Sequence, residues 1–221
     1  MEEKKRNWWK WAVIFVIIMM ILVYMVMIGR KWVILNKVYQ EACVYNEKTN
    51  FYERVIHYSG TSTIIEDIYR KENKQYKKTT YLGSNNEQKE YIDGEERISI
   101  NSNEKIATIQ NVKEEMYMPL VENLLISKDT FNRLGQAIQC TIKEEKCNGV
   151  VCYLIDFGDD YKIWVDKENN LIVREANGSY INENGEEYSS IRDIKYKLGT
   201  VTDEEVKSPE LTEEYSIRTI E

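Results

Sequence analysis

The chain has 221 residues, with 37 acidic against 30 basic side chains and a formal net charge of −7. Setting aside the six basic and two acidic residues up to Lys31 leaves 24 Lys+Arg against 35 Asp+Glu, about −11, over one domain's worth of chain. That balance speaks against a nucleic-acid footprint, which needs clustered cations, and against a domain lying flat on anionic lipid.

Trp11 to Gly29 form an apolar run without a charged residue, bounded by Lys10 and by Arg30-Lys31. Its nineteen residues rise about 28 Å as a helix, close to the hydrocarbon thickness of a bilayer. A cleaved signal peptide has a core of roughly 7–15 residues and a small-residue cleavage site. Here the run is longer, and Met27-Ile28-Gly29-Arg30-Lys31-Trp32 offers no A-x-A pattern. A lipoprotein signal would set a cysteine directly after the core, but the first is Cys43. A buried core helix rarely runs so far without a polar face.

The expectation is therefore a cytoplasmic tail over 1–10 and an uncleaved transmembrane helix over 11–31. Trp8, Trp9, Trp11 and Trp32 stand at its two ends as an aromatic belt. Lys4, Lys5, Arg6 and Lys10 outnumber Arg30, Lys31 and Lys37 by four to three. This bias favours a cytoplasmic N-terminus and an extracytoplasmic domain.

Val33, Ile34, Val38, Ala42 and Tyr45 recur at helical spacing, which predicts a juxtamembrane helix within 32–50. From Phe51 the period becomes two. Runs rich in Ile, Thr and Tyr over 51–58, 62–70 and 75–82 read as strands. Asp93-Gly94, Asn148-Gly149, Asn177-Gly178 and Asn184-Gly185 are hairpin signals, because type I′ turns need positive φ at both central residues. Strands are expected to flank the first three. Tyr161–Val165 should pair with Leu171–Val173, and Tyr188–Leu198 is the last long strand.

A helical insert interrupts the meander. Pro119 suits a first helical turn, and Ser127 can cap a short helix through Leu134 that Gly135 closes. The remainder, 51–221, reads as a single mainly β domain of about ten antiparallel strands.

Four cysteines occur, and Cys140, Cys147 and Cys152 fall within thirteen residues. A disulfide among these three is one reading for an exported domain, its pairing open; buried or free thiols are the other. No C-x-x-C occurs and His57 is the only histidine, so neither a zinc site nor another metal site is expected.

The segments Asn148-Gly149-Val150-Val151-Cys152-Tyr153-Leu154-Ile155, Tyr161-Lys162-Ile163-Trp164-Val165-Asp166 and Leu171-Ile172-Val173-Arg174-Glu175 resemble the LolA/LppX/RseB-like superfamily. Its members carry an NG-x-x-CY-x-I hairpin and a W-[IV]-D turn. The close, Val201-Thr202-Asp203 through Pro209, is similar to the ending of Gram-positive members such as the germination lipoprotein GerS. The resemblance spans roughly residues 40–215. It implies a curved antiparallel half-barrel with helices on its concave face, and a binding protein rather than an enzyme. Relatives hold acyl chains in the groove, sense lipoproteins, or support a cell-wall amidase. The transmembrane anchor departs from the family's lipid or cleaved signal, and a tethered domain cannot shuttle cargo between membranes.

Other motifs carry little. His57 reads as a strand histidine, since no G-x-S-x-G context accompanies it. Asp156-Phe157-Gly158 lacks every other kinase element. Asp166-x-Glu168-x-Asn170 has neither the glycine nor the closing glutamate of a calcium loop. Met116, Met118, Leu120, Val121, Leu124, Leu125 and Phe131 are the candidate groove lining, unless they simply fill the half-barrel.

The expected function is a membrane-anchored extracytoplasmic module, without catalysis or cofactor, that engages a cell-envelope protein partner. A lipid or acyl-chain binder is the alternative, and an envelope hydrolase using a carboxylate pair is a minor one.

Overall fold

The computed structural model describes residues 2–46, 50–60, 62–84, 86–111, 126–158, 160–181 and 187–220. A single helix, α1 (Glu2–Asn46), carries both the apolar run and the juxtamembrane segment. Among the described residues, twelve strands then build one open sheet in the order β12-β6-β5-β4-β3-β2-β1-β11-β10-β9-β8-β7. They are β1 (Asn50–Ser59), β2 (Ser62–Lys71), β3 (Lys74–Leu82), β4 (Asn86–Asp93), β5 (Glu96–Asn101) and β6 (Ile106–Asn111), then β7 (Thr141–Cys147), β8 (Val150–Asp156), β9 (Tyr161–Asp166), β10 (Ile172–Ile181), β11 (Glu187–Leu198) and β12 (Ser216–Ile220). Helix α2 (Thr130–Gln139) lies between β6 and β7 in sequence.

All ladders are antiparallel except β12 on β6. The expected mainly β fold with helices on one face is what the chain adopts. The strand count is twelve instead of about ten, because β6 and β12 carry no turn signal of their own.

The core forms where α1 leaves the apolar run. Ile34, Leu35, Val38 and Ala42 pack onto Val55, Ile155, Ile163, Val165, Ile172 and Ile194. Alternation places these strand residues on one face, so β1 and β8–β11 present a continuous apolar surface to the helix. Tyr45 closes the far end, 5.0 Å from Phe51 and 4.8 Å from Tyr196 between ring centroids. Helix α2 packs against α1 through Ala137, while the Arg133 guanidinium lies 4.5 Å from the Tyr39 ring centroid.

The opposite face is held by a row of tyrosines. Tyr52, Tyr69, Tyr76 and Tyr91 face one another across successive ladders, with ring centroids 4.8, 5.6 and 4.6 Å apart. Such cross-strand aromatic pairs add stability beyond area burial. The row runs on into Ile98, which joins Ile100 and Ala107 beneath Leu211 and Tyr215 of the C-terminal segment. That segment crosses this outer face after β11 and then adds β12 to β6 in parallel, as a parallel pairing requires a crossover.

Two local expectations are corrected. Helix α2 runs through Gly135 to Gln139, and its cap is Asp129, whose carboxylate accepts from the Asn132 amide. A mid-helix glycine costs about 1 kcal/mol; here Arg133 anchors the first turns on the Ser127 and Lys128 carbonyls at 2.7 and 2.8 Å. Asn177-Gly178 is no hairpin. Strand β10 continues through it with a register shift, and Gly178 takes φ +52°. A β-bulge uses positive-φ glycine as readily as a turn does. By contrast Asn148-Gly149 is the expected hairpin, with φ +51° and +86°. Asn184-Gly185 and the Pro119 helix lie outside the described residues.

Candidate binding surface

The helix-bearing face changes character along the sheet. Beneath α1 and α2 it is apolar. A charged seam follows. Glu53, only 4% exposed, accepts from the Tyr45 hydroxyl at 3.2 Å. Arg192 pairs with Glu175 at 2.8 Å. His57 meets Glu66 at 2.9 Å, and Lys77 reaches the other Glu66 oxygen at 2.5 Å.

Beyond the seam, β2–β6 and β12 form an open trough of about 450 Å³. Lys77, Thr79, Gln88, Glu90, Arg97, Ser99, Thr108 and Arg218 line it. The register explains why these residues meet. Lys77 faces Glu90, Glu90 faces Ser99, and Ser99 faces Thr108, each one strand further on. Arg97 bonds Glu90 at 2.9 Å. The trough wall is therefore mixed in charge and rich in hydroxyls and amides.

The seam sets unusual protonation. The hydrogen bond from His57, joined by the Lys77 ammonium, holds the Glu66 carboxyl down at about 2. Burial pushes Glu53 up to about 7, against the opposing pull of the Tyr45 hydroxyl and Arg192. Burial likewise raises Glu175, although Arg192 offsets part of it. His57 is thus engaged in an ion-paired cluster on β1, as a strand histidine should be. Among the described residues, no three His, Cys, Asp or Glu side chains converge as a metal site.

Of the expected groove residues, Met116, Met118, Leu120, Val121, Leu124 and Leu125 lie outside the described residues. Phe131 is on α2 and 82% exposed, on the same helical stripe as Leu134 and Ile138. Cys140 is buried at the α1–α2 junction, and its carbonyl accepts from Lys31 Nζ at 2.7 Å. Cys147 and Cys152 lie diagonally across the β7–β8 hairpin as buried thiols in mutual contact. Burial raises both, Cys152 to about 11.

The trough itself was not among the sequence expectations. Its signal is the split alternation of β4–β6, where Gln88, Glu90, Arg97, Ser99 and Thr108 fall on one face and Tyr91, Ile98, Ile100 and Ala107 on the other. The same alternation fits an ordinary sheet with a solvated face, so only the pairing order reveals a trough.

No protein-family model matches the chain, and no curated protein matches it. Among solved structures, an uncharacterized conserved protein from Thermus thermophilus is similar, with a TM-score of 0.46 at 12% identity, over 85% of this chain and 97% of that one. MucB, solved in complex with MucA(peri), is similar with a TM-score of 0.41 at 13% identity, over 86% of this chain. This chain spans 62% of the MucB chain.

Glu53 yields a signed prediction. Its folded-state value of about 7 lies above the ordinary 4.5, so the folded protein keeps a proton that the unfolded chain loses. Stability therefore falls as pH rises from about 4.5 to 7 and stays reduced above that, by on the order of 3 kcal/mol. Glu53→Gln keeps an acceptor for Tyr45 and removes that cost. Thermal unfolding of the full chain in neutral detergent should show the variant more stable than the parent at pH 8 and nearly equal at pH 5. Equal stability at both pH values, or loss at pH 8, contradicts the assignment.

Proposed function

We propose that this chain is a single-pass membrane-anchored module, without catalytic activity, whose extracytoplasmic domain engages a cell-envelope protein partner. The anchor is the apolar part of α1, oriented with its short basic N-terminal tail in the cytoplasm. The observation that carries the reading is the trough, whose walls offer both charges and many hydrogen-bonding groups on a rigid sheet. Such a wall matches a polypeptide, which brings backbone amides, carbonyls and charges of both signs. Its apolar lining is confined to Tyr81, Ile100 and Ile106, little cover for an acyl chain, which ranks the lipid alternative second. The titratable groups nearest the trough are committed to each other, as in the His57–Glu66–Lys77 cluster, which favours binding over hydrolysis.

A photo-reactive side chain placed at Ser99 or Thr108 tests this in intact cells. Both positions should give the same discrete protein adduct, Tyr58 on the outer face should give none, and Arg218→Glu at the exposed trough rim should abolish it. Equal adducts from all three positions, or none from any, contradicts the reading.

The same localisation bears on the hairpin thiols. We infer that Cys147 and Cys152 close to a disulfide in an oxidising compartment, with a disulfide oxidant accepting the two electrons and two protons. Their raised pKa values make spontaneous closure slow. The intact mass of chain made in such a compartment should fall by about 2 Da relative to reduced chain, with one peptide pair linking the two residues. An unshifted mass contradicts it.

A further inference from the structure

Where α1 leaves the apolar run it meets the edge of the sheet, and the two enclose a pocket of about 200 Å³. From α1 come Met27, Arg30 and Lys31; from β7 and β8 come Ile142, Lys143 and Tyr153. We propose that this pocket seats the phosphate of an anionic phospholipid from the leaflet beside the domain. The inference rests on the reading of α1 as a membrane anchor.

Three observations converge on that ligand. First, height: Met27 belongs to the apolar run, which ends at Gly29, and Arg30 is the next residue. The pocket therefore straddles the boundary between hydrocarbon and headgroups, where a lipid phosphate sits. Second, charge: Arg30 and Lys31 stand together there, although the domain as a whole is strongly acidic. Among the described residues, Arg30 closes no ion pair within 4 Å. Glu144, the carboxylate in the lining, is bound to Lys167 at 2.7 Å and stays ionised, its pKa lowered first by that contact. Lys143 borders the pocket from the edge strand but alternates onto the other face of β7, toward Glu145 at 3.5 Å.

Third, shape: Met27, Ile142 and Tyr153 supply an apolar wall on the side of the run. A free phosphate has no use for that wall, whereas the glycerol and first methylenes of a lipid do. Lys31 is oriented by its bond to the Cys140 carbonyl, so one cation is held in place before the ligand arrives. A guanidinium such as that of Arg30, which closes no ion pair among the described residues, suits a phosphate in two-pronged fashion.

Native mass spectrometry of the full chain, released from neutral detergent micelles doped with phosphatidylglycerol or phosphatidylcholine, tests the site. Phosphatidylglycerol adducts should survive activation in clear excess over phosphatidylcholine. Arg30→Gln and Lys31→Gln should each cut the retained fraction about five-fold, while Lys105→Gln, outside the pocket, should leave it unchanged. Inorganic phosphate should not displace the lipid. Equal retention of the two lipids, or indifference to both pocket variants, overturns the proposal. Displacement by inorganic phosphate, with a phosphate adduct in its place, overturns the lipid source and leaves a free-anion site. A chain whose mass lacks the apolar run instead shows a cleaved leader, which is the failure of the anchor reading and not of the pocket's chemistry.

Discussion

The packing of Ile34, Leu35, Val38 and Ala42 against the sheet is the contact from which the rest of the molecule takes its position. Burial of each large aliphatic side chain there contributes roughly 1.5–3 kcal/mol. Those residues belong to the same unbroken helix as the apolar run. The run ends at Gly29 and the buried seam begins at Ile34, a little over one helical turn, or about 7 Å, further on. A domain attached this way is fixed to the apolar run and not tethered to it. Its edge strand β7 sits against the start of the seam, so on the proposed anchor reading its helix-bearing face takes a fixed attitude to the membrane.

That arrangement divides one sheet face into two parts. The half beneath the helices is consumed by the core and can bind nothing else. Among the described residues, the half over β2–β6 remains open, and it is polar. Between them lies a seam in which Glu53 and Glu175 are taken out of water beside Arg192, while Glu66 is stabilised by His57 and Lys77. Buried charge of this kind costs stability unless it is paired, and it is a poor way to strengthen a core. Its use here is to end the apolar surface at a defined line, so that the trough stays wet and open next to a dry core. On the other face, the tyrosine row and the C-terminal crossover close off what would otherwise be exposed apolar surface.

Much of this was legible from local chemistry. The apolar run is unmistakable because length and lack of charge suffice. Asp93-Gly94 and Asn148-Gly149 announce their hairpins because positive φ is demanded at Gly94, Asn148 and Gly149. Asn177-Gly178 misleads for the same reason, since a bulge makes the same demand. Gly135 misleads because the packing of Ala137 and Arg133 against α1 outweighs a propensity of about 1 kcal/mol.

The tyrosine row and the trough were not legible, although every residue of both is visible in the sequence. Their meaning lies in register: Tyr52, Tyr69, Tyr76 and Tyr91 become a row only once four strands are paired in order. Likewise the spacing of Val38, Ala42 and Tyr45 predicts a helix but not that the helix completes the domain's core.

Hydrogen–deuterium exchange on the full chain in neutral micelles tests that shared core most directly. If α1 is at once anchor and core, the amides of 34–46 should be as protected as those of β8 and β9 and should open with them in one cooperative step. Rapid exchange over 34–46 while β8 and β9 stay protected would contradict it, and would make the helix a stalk beside an independent domain.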